Sequence, residues 1–376
     1  MRRMLMVASV DGHIKAFHLP YIALWNDNGF AVDVAARVME KGKAVPGAAK
    51  QFDLPFARSP WRLSHLKVYR QLKQVIDNTQ YDCIHCHTPV AAILTRLAAR
   101  KARKQGTKVY YTAHGFHFFK GAPLLNWLVY YPAERMMACF TDKLITINRE
   151  DYARAKTFRA GRVAYVPGMG VDVTKFADHK ADKDAVRRAM DVPTDATLLL
   201  SVGELNRNKN HQVVIRALAK LQDPKVHYAI AGEGKWETKL KALASELGIA
   251  RQVHLLGYRS DVADLYQAAN IFCFPSKREG LALAGVEAMA AGLPIVSSTT
   301  RGGILDYSES IKGGFALKHD DVSGFAQSIK ELCNQLPLRK EMGEYNKRAA
   351  WAFDIARVMP LMAEIYSLQE KRKCDT

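Results

Sequence analysis

The stretch Ile271–Ser297, IFCFPSKREGLALAGVEAMAAGLPIVS, decides the fold. Ile271–Phe274 is a short apolar run, as expected of a parallel strand covered on both faces. Pro275 and Ser276 end it. Leu281–Ala291 is rich in helix formers, and Gly292 with Pro294 stops that helix. Ile295–Val296 opens the next strand. The whole is a strand–loop–helix–turn–strand unit carrying two carboxylates. Glu279 lies in the loop leaving the carboxyl end of a strand, where open α/β sheets bind ligands. Glu287 follows about two helical turns later. The small residues Gly280, Ala282, Ala284 and Gly285 leave room beside them for something other than side chains.

The same alternation extends in both directions. Thr197–Val202, His227–Ala231 and Val253–Gly257 read as strands, with a helix over His211–Leu221. The loop after Thr197–Val202 holds Arg207 and Lys209 beside that helix's N-terminus, where side-chain charge and helix dipole both favour phosphate. Earlier in the chain, Arg3–Ser9, Ala31–Ala36, Tyr81–His87, Lys108–His114, Leu144–Asn148 and Arg162–Pro167 read as strands. Val10–His13 is expected to be a ligand loop, followed by a helix over Phe17–Asn28. Its single Gly12 does not make a dinucleotide fingerprint, which needs three glycines. His13, Lys15 and His18 around it either serve an anionic ligand or are surface residues. His114-Gly115 at a strand's carboxyl edge is either a site histidine or a structural one.

The chain has 376 residues, too many for one ordinary core. The break Pro167-Gly168-Met169-Gly170 places a boundary near residue 172. Two domains, 1–172 and 173–350, are expected, with a helical segment 351–376, bent at Pro360, packing back on the first.

Net charge is +18, and residues 1–170 carry 26 Lys/Arg against 11 Asp/Glu. That half suits an acidic partner: nucleic acid, an anionic membrane face or a phosphorylated substrate. No nucleic-acid motif is present, so nucleic acid is not the expected partner. Trp61–Asn78 is an amphipathic helix with an apolar stripe of Leu63, Leu66, Tyr69, Leu72, Val75 and Ile76. Arg62, Lys67, Arg70 and Lys73 cover much of its other side, either as a wet face or as a dock for lipid headgroups. Pro123–Phe140 crowds aromatic residues, Trp127 among them, close to Lys120, which suits either a membrane interface or a core helix. No run approaches the ~20 apolar residues of a membrane span, and Met4–Val10 is too short for a signal sequence. A cytoplasmic or peripheral protein is expected.

Six scattered cysteines suit reduced thiols. Cys83-Ile84-His85-Cys86-His87 has the spacing of a haem-attachment or half-zinc motif, but no second ligand pair at zinc spacing accompanies it. No metal and no cofactor are expected.

Together these stretches resemble a retaining GT-B glycosyltransferase of the group that builds capsular and exopolysaccharides. The resemblance covers essentially the whole chain. It is carried by Glu279 and Glu287 at E-x7-E spacing, the AMAAGLP that follows, SVGELNRNKNH (201–211), GYRSD (257–261), YTAHGFHF (111–118), HTP (87–89) and PGMGVD (167–172). It implies an α/β fold of two doubly wound Rossmann-like domains facing a cleft, and hexosyl transfer from a nucleotide-sugar, foremost a UDP-sugar. Glu287 would hold the ribose, and Glu279 the transferred sugar with the amides of Gly280 and Leu281. Lys209 would neutralise the diphosphate. Glu204 occupies the position where the family carries an arginine, and Arg207 is the nearest substitute. Arg259 would hold the base, Gly12 would lie at the first loop, and His114 would stand on the acceptor side. The acceptor would be a lipid-linked saccharide, drawn with an anionic membrane surface to His13, Lys15, Arg62, Arg70, Lys73, Lys120 and Trp127. The expected place is the inner face of the cell membrane. Two rival readings stay open: a nucleotide-sugar epimerase on the same fold, and a non-catalytic membrane-docked scaffold of a polysaccharide assembly complex.

Overall fold

The computed structural model describes residues 1–40, 42–57, 62, 64–119, 121–280, 283–298 and 311–368. The chain forms two compact units, Met1–Met169 with Ala356–Thr376, and Gly170–Ile355.

The first unit is built on a seven-stranded sheet: β1 (Arg2–Val10), β2 (Phe30–Arg37), β3 (Lys50–Asp53), β4 (Cys83–His87), β5 (Lys108–Ala113), β6 (Lys143–Thr146) and β7 (Arg162–Tyr165). Its order is β3-β2-β1-β4-β5-β6-β7, with every pairing parallel. Chain order reverses between β1 and β4, so the loops leaving these two strands diverge and open a crevice at their carboxyl ends. Met4–Ala8 and all of β4 are buried on both faces, the pattern of a sheet covered by helices on each side. Across β5, the buried Arg96 pairs with Glu134 at 2.9 Å and stacks on the Tyr111 ring. The Ile355–Tyr366 helix brings its last residue into this core. The Tyr366 hydroxyl meets His85 Nδ1 at 3.0 Å, and its ring lies 4.9 Å from that of Trp25.

The second unit carries β8 (Thr197–Val202), β9 (Val226–Ala231), β10 (Val253–Leu255), β11 (Ile271–Phe274), β12 (Ile295–Ser298) and β13 (Gly314–Leu317). The order is β10-β9-β8-β11-β12-β13, again all parallel, with the reversal between β8 and β11. Ile271–Ser297 is therefore a central βαβ unit, with its helix over Leu283–Ala290.

Three expectations are corrected. The segment after β1 is not a loop: Asp11–Phe17 is helical, and a second helix, Leu19–Asp27, follows at once. Asp11 makes this possible. Its buried carboxylate accepts from Met39 N at 3.0 Å and from Lys15 Nζ at 2.8 Å, so the helix starts on the last residue of the strand with its first turn anchored. Strands β3 and β13 are short, and the pattern of apolar runs passes over them. The Ser64–Asp77 helix turns Val68, Leu72 and Ile76 inward, while Leu66 is 57% exposed. Of the stripe read in the sequence, Leu72 and Ile76 are buried and Tyr69 and Val75 pack against the core, while Val68 takes the inward place expected of Leu66. Trp61 and Leu63 lie outside the described residues.

Candidate functional site

In the unit Gly170–Ile355 the loops leaving β8, β9, β10 and β11 are stitched together by backbone contacts. Gly203 N donates to Ala231 O at 2.9 Å, and Gly232 N to Gly257 O at 2.7 Å. Lys277 N donates to Asn208 O at 2.7 Å, which ties the β11 loop to the β8 loop. Gly232 has φ +152°, and a Cβ on it would lie 2.0 Å from Gly203 O, so only glycine lets these loops approach.

The basic loop is folded by its asparagines. The Asn206 side chain accepts from the amides of Asn208 and Lys209, both at 2.9 Å, forming a turn of the Asx type. Asn210 takes a left-handed conformation at φ 57° and donates to Pro275 O and His319 O at 3.2 and 2.7 Å. The His211–Leu221 helix begins there, with no side chain capping its first amides among the described residues. That end of the helix keeps its positive pole, and Val213 N turns back to Asn210 O at 3.0 Å.

Lys209 runs over Gly203, where an added Cβ would meet its Cε at 3.0 Å. Its Nζ forms an ion pair with Glu279 Oε1 at 2.9 Å. The two residues are 70 positions apart, and the β8/β11 switch point brings them together. Glu287, on the Leu283–Ala290 helix, accepts from the Tyr266 hydroxyl at 2.9 Å. Burial raises its pKa, opposed by the Tyr266 hydrogen bond and the charge of Lys175. Arg207 is exposed, as is Glu204. Arg259 makes a two-pronged pair with Asp261 through Nε at 2.7 Å and through Nη2, so its plane is fixed. Leu281 lies outside the described residues, directly after Gly280.

In the first unit His114 follows β5, and its Nε2 lies 3.3 Å from His13 Nε2 and 3.4 Å from His87 Nδ1. His13 and His18 are therefore not surface residues: His18 is fully buried. Lys15 is turned inward to Asp11 and to Lys43 O at 2.9 Å, so its charge is already paired. Gly12 sits in the Asp11–Phe17 helix, exposed and with open space around it. Trp127 donates to Phe119 O at 3.2 Å and has Arg154 stacked 4.6 Å from its ring, so it packs inward. Arg62 and Arg70 are exposed, and Lys73 pairs with Asp77 at 2.6 Å. Lys120 lies outside the described residues. The histidines missed as a group come from segments 101 residues apart, and no local spacing announces them.

Two all-parallel doubly wound units, with a cation, a carboxylate and an uncapped helix end at the switch point of the second, suit a phosphate-bearing ligand there. The relationships of the chain agree. Residues 182–349 match the family described as glycosyl transferases group 1, and residues 4–148 match glycosyl transferase 4-like. EpsD of Bacillus subtilis (strain 168), itself named only provisionally as a glycosyltransferase, is 41% identical over 97% of this chain and 96% of its own length. The chain belongs to the group 1 glycosyltransferases. The UDP-Gal:alpha-D-GlcNAc-diphosphoundecaprenol alpha-1,3-galactosyltransferase of Escherichia coli is 25% identical over 81% of this chain and 80% of its own. Among solved structures, Anabaena HepE in complex with UDP and glucose superposes with a TM-score of 0.81 at 19% identity, covering 98% of this chain and 100% of that one. The fold is GT-B.

Proposed function

We propose that this protein is a retaining hexosyltransferase that moves a sugar from a UDP-sugar to a lipid-linked saccharide during exopolysaccharide or capsule synthesis, at the inner face of the cell membrane. The observation that carries this reading is the Lys209–Glu279 pair at 2.9 Å, lying at the β8/β11 switch point next to an uncapped helix N-terminus. Breaking a glycosyl–phosphate bond develops negative charge on the leaving diphosphate. Lys209, Arg207 and the first amides of the His211–Leu221 helix supply preorganised positive charge for it. Those groups suffice for the leaving group, so no metal ion is assigned at the diphosphate.

Glu279 is left to the sugar with the Gly280 and Leu281 amides, and Glu287 to the ribose. Arg259, held flat by Asp261, is left to the base. Glu279 and Glu287 do not need to be a nucleophile and acid pair of the kind retaining glycosidases use. Retention follows from front-face attack, with the departing phosphate oxygen taking the acceptor proton. His114 stands on the acceptor side. Burial holds its pKa well below the ordinary histidine value, so it acts there as a neutral ring. The HepE complex with UDP and glucose, and the lipid diphosphate named for the Escherichia coli relative, support the donor and acceptor classes. Family membership supports transfer over epimerisation or a non-catalytic scaffold.

The test is Lys209→Ala with purified UDP-sugar and lipid-linked acceptor. Turnover should fall by on the order of 100-fold or more, the scale of removing one charge-stabilising donor. Unchanged turnover would remove Lys209 from the reaction.

A further inference from the structure

The unit Met1–Met169 with Ala356–Thr376 gathers four histidines at the carboxyl ends of three adjacent strands. His13 lies in the first of the two helices that follow β1, and His18 is the residue between them. His87 ends β4, and His114 follows β5. One ring nitrogen from each lies within 4.8 Å of one from every other. Three of the separations are short: His13 Nε2 to His114 Nε2 at 3.3 Å, His18 Nε2 to His13 Nε2 at 3.4 Å, and His114 Nε2 to His87 Nδ1 at 3.4 Å.

Hydrogen bonding does not account for this arrangement. A neutral ring nitrogen carries either one hydrogen or one in-plane lone pair. The Nε2 atoms of His13 and His114 each face two other nitrogens, so at most two of the three contacts can be hydrogen bonds. His18 Nδ1 and His87 Nε2 are turned away from the cluster and would carry the ring hydrogens, leaving His18 Nε2 and His87 Nδ1 to face it with their lone pairs. The neighbouring His85 is instead held by hydrogen bonds: its Nε2 meets Thr112 Oγ1 at 2.8 Å and its Nδ1 meets Tyr366 OH at 3.0 Å.

Metal coordination accounts for the three short separations. Zinc–imidazole bonds of roughly 2.0–2.1 Å at tetrahedral angles put ligand nitrogens about 3.3–3.4 Å apart. A neutral imidazole has one ring nitrogen with a lone pair to give to a metal. The backbone fixes the approach. Thr88, next to His87, has φ 63°, and its hydroxyl accepts from Ser9 N at 3.0 Å, clamping the end of β4 to the end of β1.

We infer that His13, His18, His87 and His114 form a binding site for one tetrahedral divalent transition-metal ion, with zinc the best fit to four imidazoles. With four protein ligands the site is closed, which makes it a structural centre rather than one that activates water. It ties β1, β4 and β5 together where the sheet reverses and gives His114 a fixed position. It does not depend on the transfer reaction proposed above.

Cobalt(II) is the probe. Chelator-stripped full-length protein titrated with cobalt should take up one ion per chain and develop the strong visible absorption of a tetrahedral centre, without the near-ultraviolet band of thiolate ligation. His13→Gln, at a partly exposed ligand, should weaken binding at least about 100-fold, beyond the usual effect of outer-shell changes. His18→Ala should abolish it. His85→Gln should leave it intact. If His18→Ala does not fold, by circular dichroism, the wild-type spectrum and His13→Gln still decide. No tetrahedral cobalt spectrum, a thiolate band, or unchanged binding in His13→Gln would overturn the proposal.

Discussion

The proposed ribose contact needs Glu287 as an anion, in surroundings that disfavour charge. Burial raises its pKa above the ordinary 4.5, and the Tyr266 hydroxyl and Lys175 offset this only in part. A raised folded-state pKa means that the folded chain holds this proton to higher pH than the unfolded chain does. The stability linked to that proton is therefore complete below the ordinary carboxylate value and is lost as pH rises through the raised one. Glu287→Gln removes the penalty. Its Tm should exceed wild type at neutral pH, and the gap should close in acid. UDP-sugar affinity should meanwhile fall roughly 10–100-fold, the scale of lost hydrogen bonds to a charged group. Higher stability with unaltered affinity would take Glu287 away from the ribose. Residues of this site were legible because Glu279 and Glu287 share one βαβ unit and Lys209 sits in one loop of recognisable pattern. Their contacts were not: nothing local says that Lys209 reaches Glu279, or that Lys15 turns inward to Asp11. The histidine cluster was illegible for the same reason, since its members meet only once β1, β4 and β5 lie side by side.

Among the elements, the long central strands could be read from apolar runs alone, because a strand buried on both faces has no alternation to disguise it. Thr197–Val202 and Ile271–Phe274 were read to the residue. Strands β3 and β13 escaped, each four residues long at the edge of its sheet and only partly buried or exposed. The helix directly after β1 escaped because its support is tertiary: the Asp11 carboxylate is held by Met39 N, 28 positions away. The loops that frame the proposed donor site depend in turn on glycine at positions where a side chain would strike backbone. Gly232→Ala puts its Cβ 2.0 Å from Gly203 O at a φ of +152°. The β8 and β9 loops would have to part, carrying Lys209 away from Glu279. Denaturant unfolding should show a loss on the order of 3 kcal/mol, and the thermal shift given by UDP should shrink with it. Gly248→Ala is the control: its φ is also positive, at +73°, but nothing lies within 4 Å, so the UDP shift should survive.

At the scale of the whole molecule, charge and apolar surface coincide in the first unit. Residues 1–170 hold most of the net +18. A groove of about 490 Å³ is lined by Lys73, Arg100, Lys101, Arg103 and Lys104 together with Tyr69 and Phe140. On the Leu124–Ala138 helix, Leu124, Leu125 and Leu128 are 72, 65 and 65% exposed. The exposed apolar residues here are leucines, while the ring of Trp127 packs inward. Among the described residues no helix is long and apolar enough to cross a membrane. Shallow insertion of the leucines beside basic residues is the mode this surface suits. Each basic residue near anionic lipid contributes about 1 kcal/mol, screened over roughly 10 Å at 0.1 M salt. Flotation with anionic vesicles should therefore be strong at low salt and weak at high salt, with little binding to neutral vesicles. Leu125→Glu with Leu128→Glu should reduce flotation while leaving transfer to a short water-soluble acceptor unchanged. Arg100→Ala with Lys101→Ala should flatten the salt dependence. Equal flotation with neutral and anionic vesicles would show that charge does not draw the protein to the membrane. Flotation untouched by the leucine changes would place the contact elsewhere on the unit.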